Sequence, residues 1–250
     1  MIKKCLIFTF FCIFVSAFSQ TLFYNSGSIQ FQRKTNAFRL TEGGWMNRMY
    51  EKNKFLNDTF RLDFDSSQSL YFNPSYDPDE GGRDGMYFSM SVNPSKSNVV
   101  YKNHNSDTLW VMRELFDERI VIHDSIRKIQ WKITDEVREI AGFSCHKAIG
   151  ILFDSMYVVA FYTDQIITQS GPESFGNLPG MILGVAIPRL HTTWMALDFK
   201  AEKPSIKKPS VPKKKKTPPY NWNNYYLKLS ERFKDWGAPF NNIMVWMWGV

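Results

Sequence analysis

The chain has 250 residues, a formal net charge of +7, 22% charged and 44% hydrophobic residues, with aromatic side chains at 16% of positions. That balance excludes a disordered polyelectrolyte and supplies enough bulky apolar surface for one core of ordinary domain size. Three cysteines in the whole chain exclude a disulfide-dense scaffold.

Met1 to Ser19 reads as a secretory signal: Lys3 and Lys4 form the positive start, Leu6 to Val15 the apolar core, and Ala17-Phe18-Ser19 a small-x-small cleavage site before Gln20. The run is short for a membrane span, which leaves an uncleaved anchor as the lesser alternative. Cys12 lies inside the apolar core rather than in a lipobox-like setting after it. Cleavage leaves 231 residues (250 less 19) at a net charge of +5 (7 less 2), with Cys145 as the remaining thiol and therefore no internal disulfide. No later apolar stretch is long enough to cross a bilayer as a helix.

The mature chain reads mainly as β-strand. Thr21 to Lys34 ends in alternation (Ser28-Ile29-Gln30-Phe31-Gln32), and Thr59 to Asp65 alternates strictly. Asn36 to Asn57 between them reads as irregular or partly helical. Asn73 to Gly85, dense in Pro and Gly, reads as a solvated loop. Further strands are expected at Met86–Val92, Lys128–Ile133, Val158–Tyr162, from Met181, and at Thr192–Phe199. Lys203 to Pro219 is an extended Lys/Pro arm whose prolines forbid a helix and whose lysines repel one another. Beyond it, Trp222, Tyr225, Tyr226, Leu229, Phe233 and Trp236 recur at helical spacing, with Gly237 at the C-cap position. A helix is therefore expected near Asn221–Trp236, and a closing strand at Ile243–Trp248. The resulting divisions are a signal at 1–19, a β-rich domain at 20–202, a linker at 203–220, and a helix and terminal strand at 221–250 packing back on the domain.

The densest punctuation lies at Gly171-Pro172-Glu173-Ser174-Phe175-Gly176-Asn177-Leu178-Pro179-Gly180-Met181-Ile182-Leu183. Leu178-Pro179-Gly180-Met181 fits a type II turn, with Pro setting φ at the second position and Gly supplying φ > 0 at the third. This stretch resembles the signature of the GLPGLI family, exported proteins found mainly in Bacteroidota. Two upstream blocks resemble the same family: Trp131-Lys132-Ile133 with Glu136, Ile140, Gly142-Phe143, Cys145 and Lys147-Ala148, and Phe161-Tyr162-Thr163-Asp164-Gln165-Ile166. The similarity is strongest over Trp131 to Val185. Asn177 stands for the first Gly of the name motif and Met181 for its second Leu, both mild changes. The resemblance implies an exported β-rich protein and no established reaction. It gives Gly171, Pro172, Phe175, Leu178, Pro179 and Gly180 a structural role.

Candidate chemistry is sparse. Cys145-His146-Lys147 offers a thiol, but in a strand Cys145 and His146 face opposite sides, and a buried cysteine is usually inert packing. Copper is suggested by the pairs Met46/Met49, Met86/Met90 and Met244/Met247, yet they form no single run, and His104, His123, His146 and His191 show no ligand spacing. No hydrolase, P-loop, dinucleotide or H-E-x-x-H signature occurs. Asp77, Asp79 and Glu80 lack EF-hand spacing. Lys213, Lys214, Lys215 and Lys216 suit an anionic membrane surface better than nucleic acid, or are simply solvated.

These readings converge on a mainly β fold: a curved antiparallel sheet, half-barrel or open barrel, with a C-terminal amphipathic helix across it. The expected function is non-enzymatic binding or accessory work in the periplasm or on the periplasmic face of the outer membrane, without cofactor or metal. The partner is an apolar ligand, a peptide or an outer-membrane protein, met by Trp131, Phe161, Tyr162, Trp194, Trp222 and Tyr226. The alternatives are an envelope enzyme built around Cys145 and a Met/His copper protein.

Overall fold

The computed structural model describes residues 22–76, 97–115, 118–209, 218–237 and 240–250. The signal at 1–19, the strand expected at Met86–Val92 and the lysines 213–216 lie outside them. Eleven strands form one antiparallel sheet: β1 Gly27–Asn36, β2 Phe55–Phe64, β3 Gln68–Phe72, β4 Val99–Asn103, β5 Thr108–Leu115, β6 Glu118–Ser125, β7 Lys132–Ile140, β8 Phe143–Leu152, β9 Met156–Thr163, β10 Met181–Ile187 and β11 Thr192–Lys200. Their order is β6-β5-β4-β3-β2-β1-β11-β10-β9-β8-β7. Helices are α1 Ala37–Leu40, α2 Trp222–Phe233 and α3 Phe240–Gly249, with short 3₁₀ turns at Asn47–Tyr50, Pro188–Leu190 and Lys234–Trp236.

The two edge strands, β6 and β7, are consecutive in sequence yet do not pair, so the sheet is not closed into a barrel. Flat, eleven strands would span roughly 48 Å. Instead a single core cluster draws on every strand together with α2 and α3, so the sheet is curled around its contents. One row of cross-strand partners shows which side is inside: Ala148–Ala160–Val185–Trp194–Arg33–Asp58 runs across β8, β9, β10, β11, β1 and β2.

Residues 126–131 carry the chain from one edge of the sheet to the other, and this corrects the strand expected at Lys128–Ile133. Ile126 and Ile129 are buried, and a Cβ at Gly150 would meet Ile129 and Trp131 side chains at 2.6 and 2.9 Å. The segment therefore packs across β8, and ladder pairing starts only at Lys132. The second correction is Ile243–Trp248, which is helical: Met244 and Trp248, four apart, are buried together, and packing against α2 overrides the strand preference of Ile, Val and Trp. Between Asn36 and Asn57 the partly helical expectation is met by α1 and one 3₁₀ turn, with the Asn36 side chain accepting from the Arg39 amide at 3.0 Å as N-cap. β2 starts earlier than expected, at Phe55.

Helix α2 follows its sequence pattern closely. Trp222, Tyr225, Leu229 and Phe233 are its buried stripe, and the Asn221 side chain caps its start by accepting from the Asn224 amide at 2.8 Å. Gly237 has φ +79 just beyond the following 3₁₀ turn. The helix is fastened to β6, where the Trp222 amide donates to Asp124 Oδ2 at 2.9 Å and Lys228 pairs with Glu118 at 2.6 Å.

Candidate functional site: a plugged concave face

The Gly/Pro segment links the end of β9 to the start of β10 at Met181. Residues Ser170 to Gly176 are all buried, and the loop enters the concave side of the sheet. Its exit turn is tighter than a type II turn: the Gly180 amide donates to Leu178 O at 2.7 Å, and the Met181 amide donates to Ile166 O at 3.0 Å. Gly180 has φ +139, and a Cβ there would sit 2.0 Å from Thr163 O, so only glycine fits. Asn177, which stands for the first Gly of the signature, has φ +64, a left-handed conformation that Asn tolerates.

Lysine holds the plug from below. Lys102, on β4, is 1% exposed and its Nζ donates to Gly171 O at 2.9 Å, to Phe175 O, and more weakly to Ser170 Oγ at 3.4 Å. Burial pulls its amine down to about 7, and the nearby Glu173 carboxylate opposes that shift. Glu173 is itself 1% exposed and accepts from Asn98 Nδ2 at 2.8 Å. Ser69 and Ser170 hydroxyls share a hydrogen bond of 2.8 Å. Trp131 Nε1 donates to Gly176 O at 3.0 Å, and Ser174 Oγ donates to Val250 O at 2.9 Å. Phe175 meets Trp194 edge to face at 6.0 Å. Beside the plug, Arg33 pairs with Asp58 at 2.8 Å, both buried, and lies over the Phe60 ring. Phe60 stacks on Tyr71 at 4.9 Å, and burial pushes the Tyr71 hydroxyl well above its ordinary range.

The lid closes the other part of the concavity. Trp222 and Tyr226 stack at 5.7 Å, with the Arg127 guanidinium 4.3 Å over Trp222. The last turn of α3 is gripped by Arg113 and Tyr225, which donate to Trp248 O, and by Arg127 and Tyr226, which donate to Gly249 O. Cationic donors suit the carbonyls of a helix C-terminus.

The six residues expected to line one apolar concavity therefore divide. Trp131 and Trp194 brace the plug, whereas Trp222 and Tyr226 belong to the lid. Tyr162 shares the inner side with His146, at 5.8 Å between rings, while Phe161, its neighbour in β9, faces the other side of the sheet beneath Arg138 at 4.7 Å. Sequence reasoning did not single out the buried Lys102, Arg33, Arg113 and Glu173. The detectable signal was placement: Arg33 stands two residues after Phe31 and four after Ile29, and Arg113 two after Val111 and four after Leu109, each in phase with buried apolar residues of its strand.

Chemistry around Cys145 is weak. The side chain is 0% exposed, burial pushes its thiol up to about 12, and its described polar contact is with Phe143 O at 3.5 Å. Lys147 is engaged with Glu136 at 2.6 Å, and His146 lies against Tyr162. Among the described residues no group of three His, Cys, Asp or Glu is placed to hold a metal. Met46 is in the core and Met49 is exposed, while Met86 and Met90 lie outside the described residues. Of the basic arm, Lys208 Nζ sits 3.8 Å over Trp110, which stacks on His123 at 4.0 Å.

No protein-family model and no curated protein matches this chain. Among solved structures, PNGF-II in a P21 crystal form is similar with a TM-score of 0.53 and 16% identity, over 82% of this chain and 33% of that one. PNGF-II in a C2 form has a TM-score of 0.47 and 16% identity, over 89% of this chain and 33% of that one. The chain thus spans about a third of the length of the solved chains it matches, and the likeness is one of fold.

Proposed function

We propose that this is an exported cell-envelope protein of the GLPGLI type that works without catalysis, as a rigid scaffold presenting its outer surface and open sheet edge to an outer-membrane partner. The observation that carries the reading is the filled concave face: the loop Gly171–Gly176 and helices α2 and α3 occupy the space that an acyl chain or peptide would need. Two further features support it. The most nucleophilic side-chain type in the chain, Cys145, is buried with its thiol far above neutrality. Apolar residues are instead exposed around β7 to β9: Ile133 and Val137 on the edge strand, and Ile151 opposite Tyr157 on β8 and β9. An edge strand with apolar side chains is a template for strand addition.

The experiment places a photo-crosslinking residue at Val137 or Tyr157, and at Arg39 as a control, in the protein in its native envelope. The purified protein is also extracted for bound lipid under gentle conditions. The scaffold reading expects one discrete crosslinked species from the edge positions, none from the control, and no stoichiometric lipid. One equivalent of acyl ligand without edge-specific crosslinks overturns it in favour of ligand carriage.

A further inference from the structure

The connection from β1 to β2 leaves large apolar side chains outside. Met46 and Tyr50 turn into the core, but Trp45, Met49 and Phe55 stay 57%, 54% and 47% exposed. Local bonds fix this arrangement. The Asn47 side chain donates to Phe38 O at 2.6 Å, the Phe38 amide donates to Lys54 O at 3.3 Å, and Phe55 pairs with Asn36 across the ladder. The end of the lid reaches the same place, where Trp236, packed on the core, lies 6.3 Å from Trp45 between ring centres.

Cations surround these side chains. From Lys34 to Phe55 the chain carries Lys34, Arg39, Arg48, Lys52 and Lys54 against Glu42 and Glu51, a net charge of +3 (5 less 2), and all of these are exposed. The described ion pairs use none of those cations. Instead, Lys34 Nζ lies 4.5 Å over the Phe55 ring and Lys54 Nζ 5.2 Å over Phe38. The neighbouring turn continues the pattern. The Asn36 amide donates to His191 O at 2.9 Å, and the exposed Arg189 guanidinium of that turn sits 4.6 Å over Trp246.

Exposed aromatic rings suit either a protein face or a bilayer interface, and the lysines decide between them. At the centre of a protein interface lysine is depleted, because its ammonium loses water there. In the headgroup layer of an anionic bilayer the ammoniums keep water and phosphate around them, while their stems and the rings reach the acyl boundary. Trp is enriched at that level of a membrane, and each cation near an anionic surface is worth about fivefold in affinity.

We infer that the β1–β2 connection, with Trp236 beside it, is a peripheral membrane anchor that takes the surface of an anionic phospholipid bilayer. Trp45, Met49 and Phe55 enter the acyl boundary, and Lys34, Arg48, Lys52 and Lys54 meet the phosphates. This surface lies on other strands than the partner surface at β7 to β9. Lipid contact at Arg39 gives no protein crosslink, so that control position serves both readings.

The test is flotation of the purified mature protein with vesicles of phosphatidylcholine alone and of equimolar phosphatidylcholine and phosphatidylglycerol. Binding is expected on the anionic vesicles, falling as salt is raised, and is expected to be weak on the neutral ones. Lys52→Gln and Lys54→Gln should each weaken it about fivefold, and Trp45→Ser about tenfold. Lipids brominated along the acyl chain should quench tryptophan fluorescence in the unaltered protein and much less in Trp45→Ser. An unchanged urea midpoint checks that these surface variants are folded. Replacing Lys213, Lys214, Lys215 and Lys216 with Gln should leave the quenching in place. No binding to anionic vesicles, or binding that disappears with those four lysines and ignores Trp45→Ser, would overturn the inference. So would a discrete protein crosslink from a photo-crosslinking residue at Trp45 in the native envelope, which would make this surface a protein interface. Because flotation uses the purified protein alone, its failure leaves the edge crosslinks from Val137 and Tyr157 as they stand.

Discussion

Replacing Gly180 with alanine puts a methyl group 2.0 Å from Thr163 O, 2.8 Å from its carbonyl carbon and 3.0 Å from Asp164 Cα, on a backbone with φ +139. All three obstacles are backbone, so no side-chain rotation relieves the contact. Holding a non-glycine residue at such a φ costs about 1–3 kcal/mol. Moving Thr163 away disturbs its pairing with Met181 and the Met181 amide bond to Ile166 O, worth about 1 kcal/mol more. The expected loss is about 2–4 kcal/mol, equivalent to a fall in Tm of roughly 10 °C for a domain of this size. Gly43, with φ +78 and nothing within 4 Å of its Cβ position, is the matched control, where alanine is expected to cost about 1 kcal/mol. Urea unfolding of both variants, followed by tryptophan fluorescence, measures the difference. Equal destabilisation by Gly180→Ala and Gly43→Ala would refute the idea that the exit turn is held by close backbone approach.

Lys102→Met leaves the carbonyls of Gly171 and Phe175 without their ammonium donor and Glu173 without its nearby cation; it should lower stability by about 3 kcal/mol in urea unfolding, and an unchanged midpoint would show the plug is held by shape alone. Burial and the neighbouring Lys102 push His104 down to about 4 from an ordinary 6.5. Between those values the unfolded chain binds the proton and the folded one does not, so stability falls as pH drops from 6.5 to 4; His104→Asn should flatten that limb of the pH profile, and an unaltered slope counts against the assignment. The Lys102 amine, lowered from 10.5 to about 7, gives a second window of the same sign: stability rises with pH from 7 towards 10.5, and Lys102→Met abolishes that rise. Cys145, with its thiol pushed up to about 12, should resist an aromatic disulfide reagent at pH 8 until denaturant is added, whereas rapid labelling of the native protein would place the thiol at the surface.

Several elements were legible because their information is local. Helix α2 carries its own period, its N-cap Asn221 and the following Gly237. The alternation of Thr59 to Asp65 marks a strand by itself. The need for positive φ at Gly180 is written in Pro179-Gly180. Five strands were not legible. In β3, Leu70 and Phe72 are half-buried opposite a buried Tyr71, so both faces look apolar and the alternation disappears. In β8, the inward positions Ala148 and Gly150 are small to admit the crossing segment, and Cys145-His146-Lys147 breaks the pattern. Of the aromatic residues singled out in the sequence, Trp131 and Trp194 meet the plug, and Phe161 lies on the other side of the sheet; which face a side chain takes depends on register that no local pattern fixes.

The sequence by itself determined a β-rich chain, an amphipathic C-terminal helix and a Pro-Gly turn with positive φ at Gly180, because each depends on dihedral preferences and side-chain periods within a few residues. Tertiary structure alone decided where the signature loop goes and what the buried charges do. Arg33 finds Asp58 25 residues away, Lys102 finds Gly171 69 away, and Arg113 finds Trp248 135 away. A charged residue in an apolar phase reads as solvated until its distant partner is known, and here those partners turn an open concave sheet into a filled one.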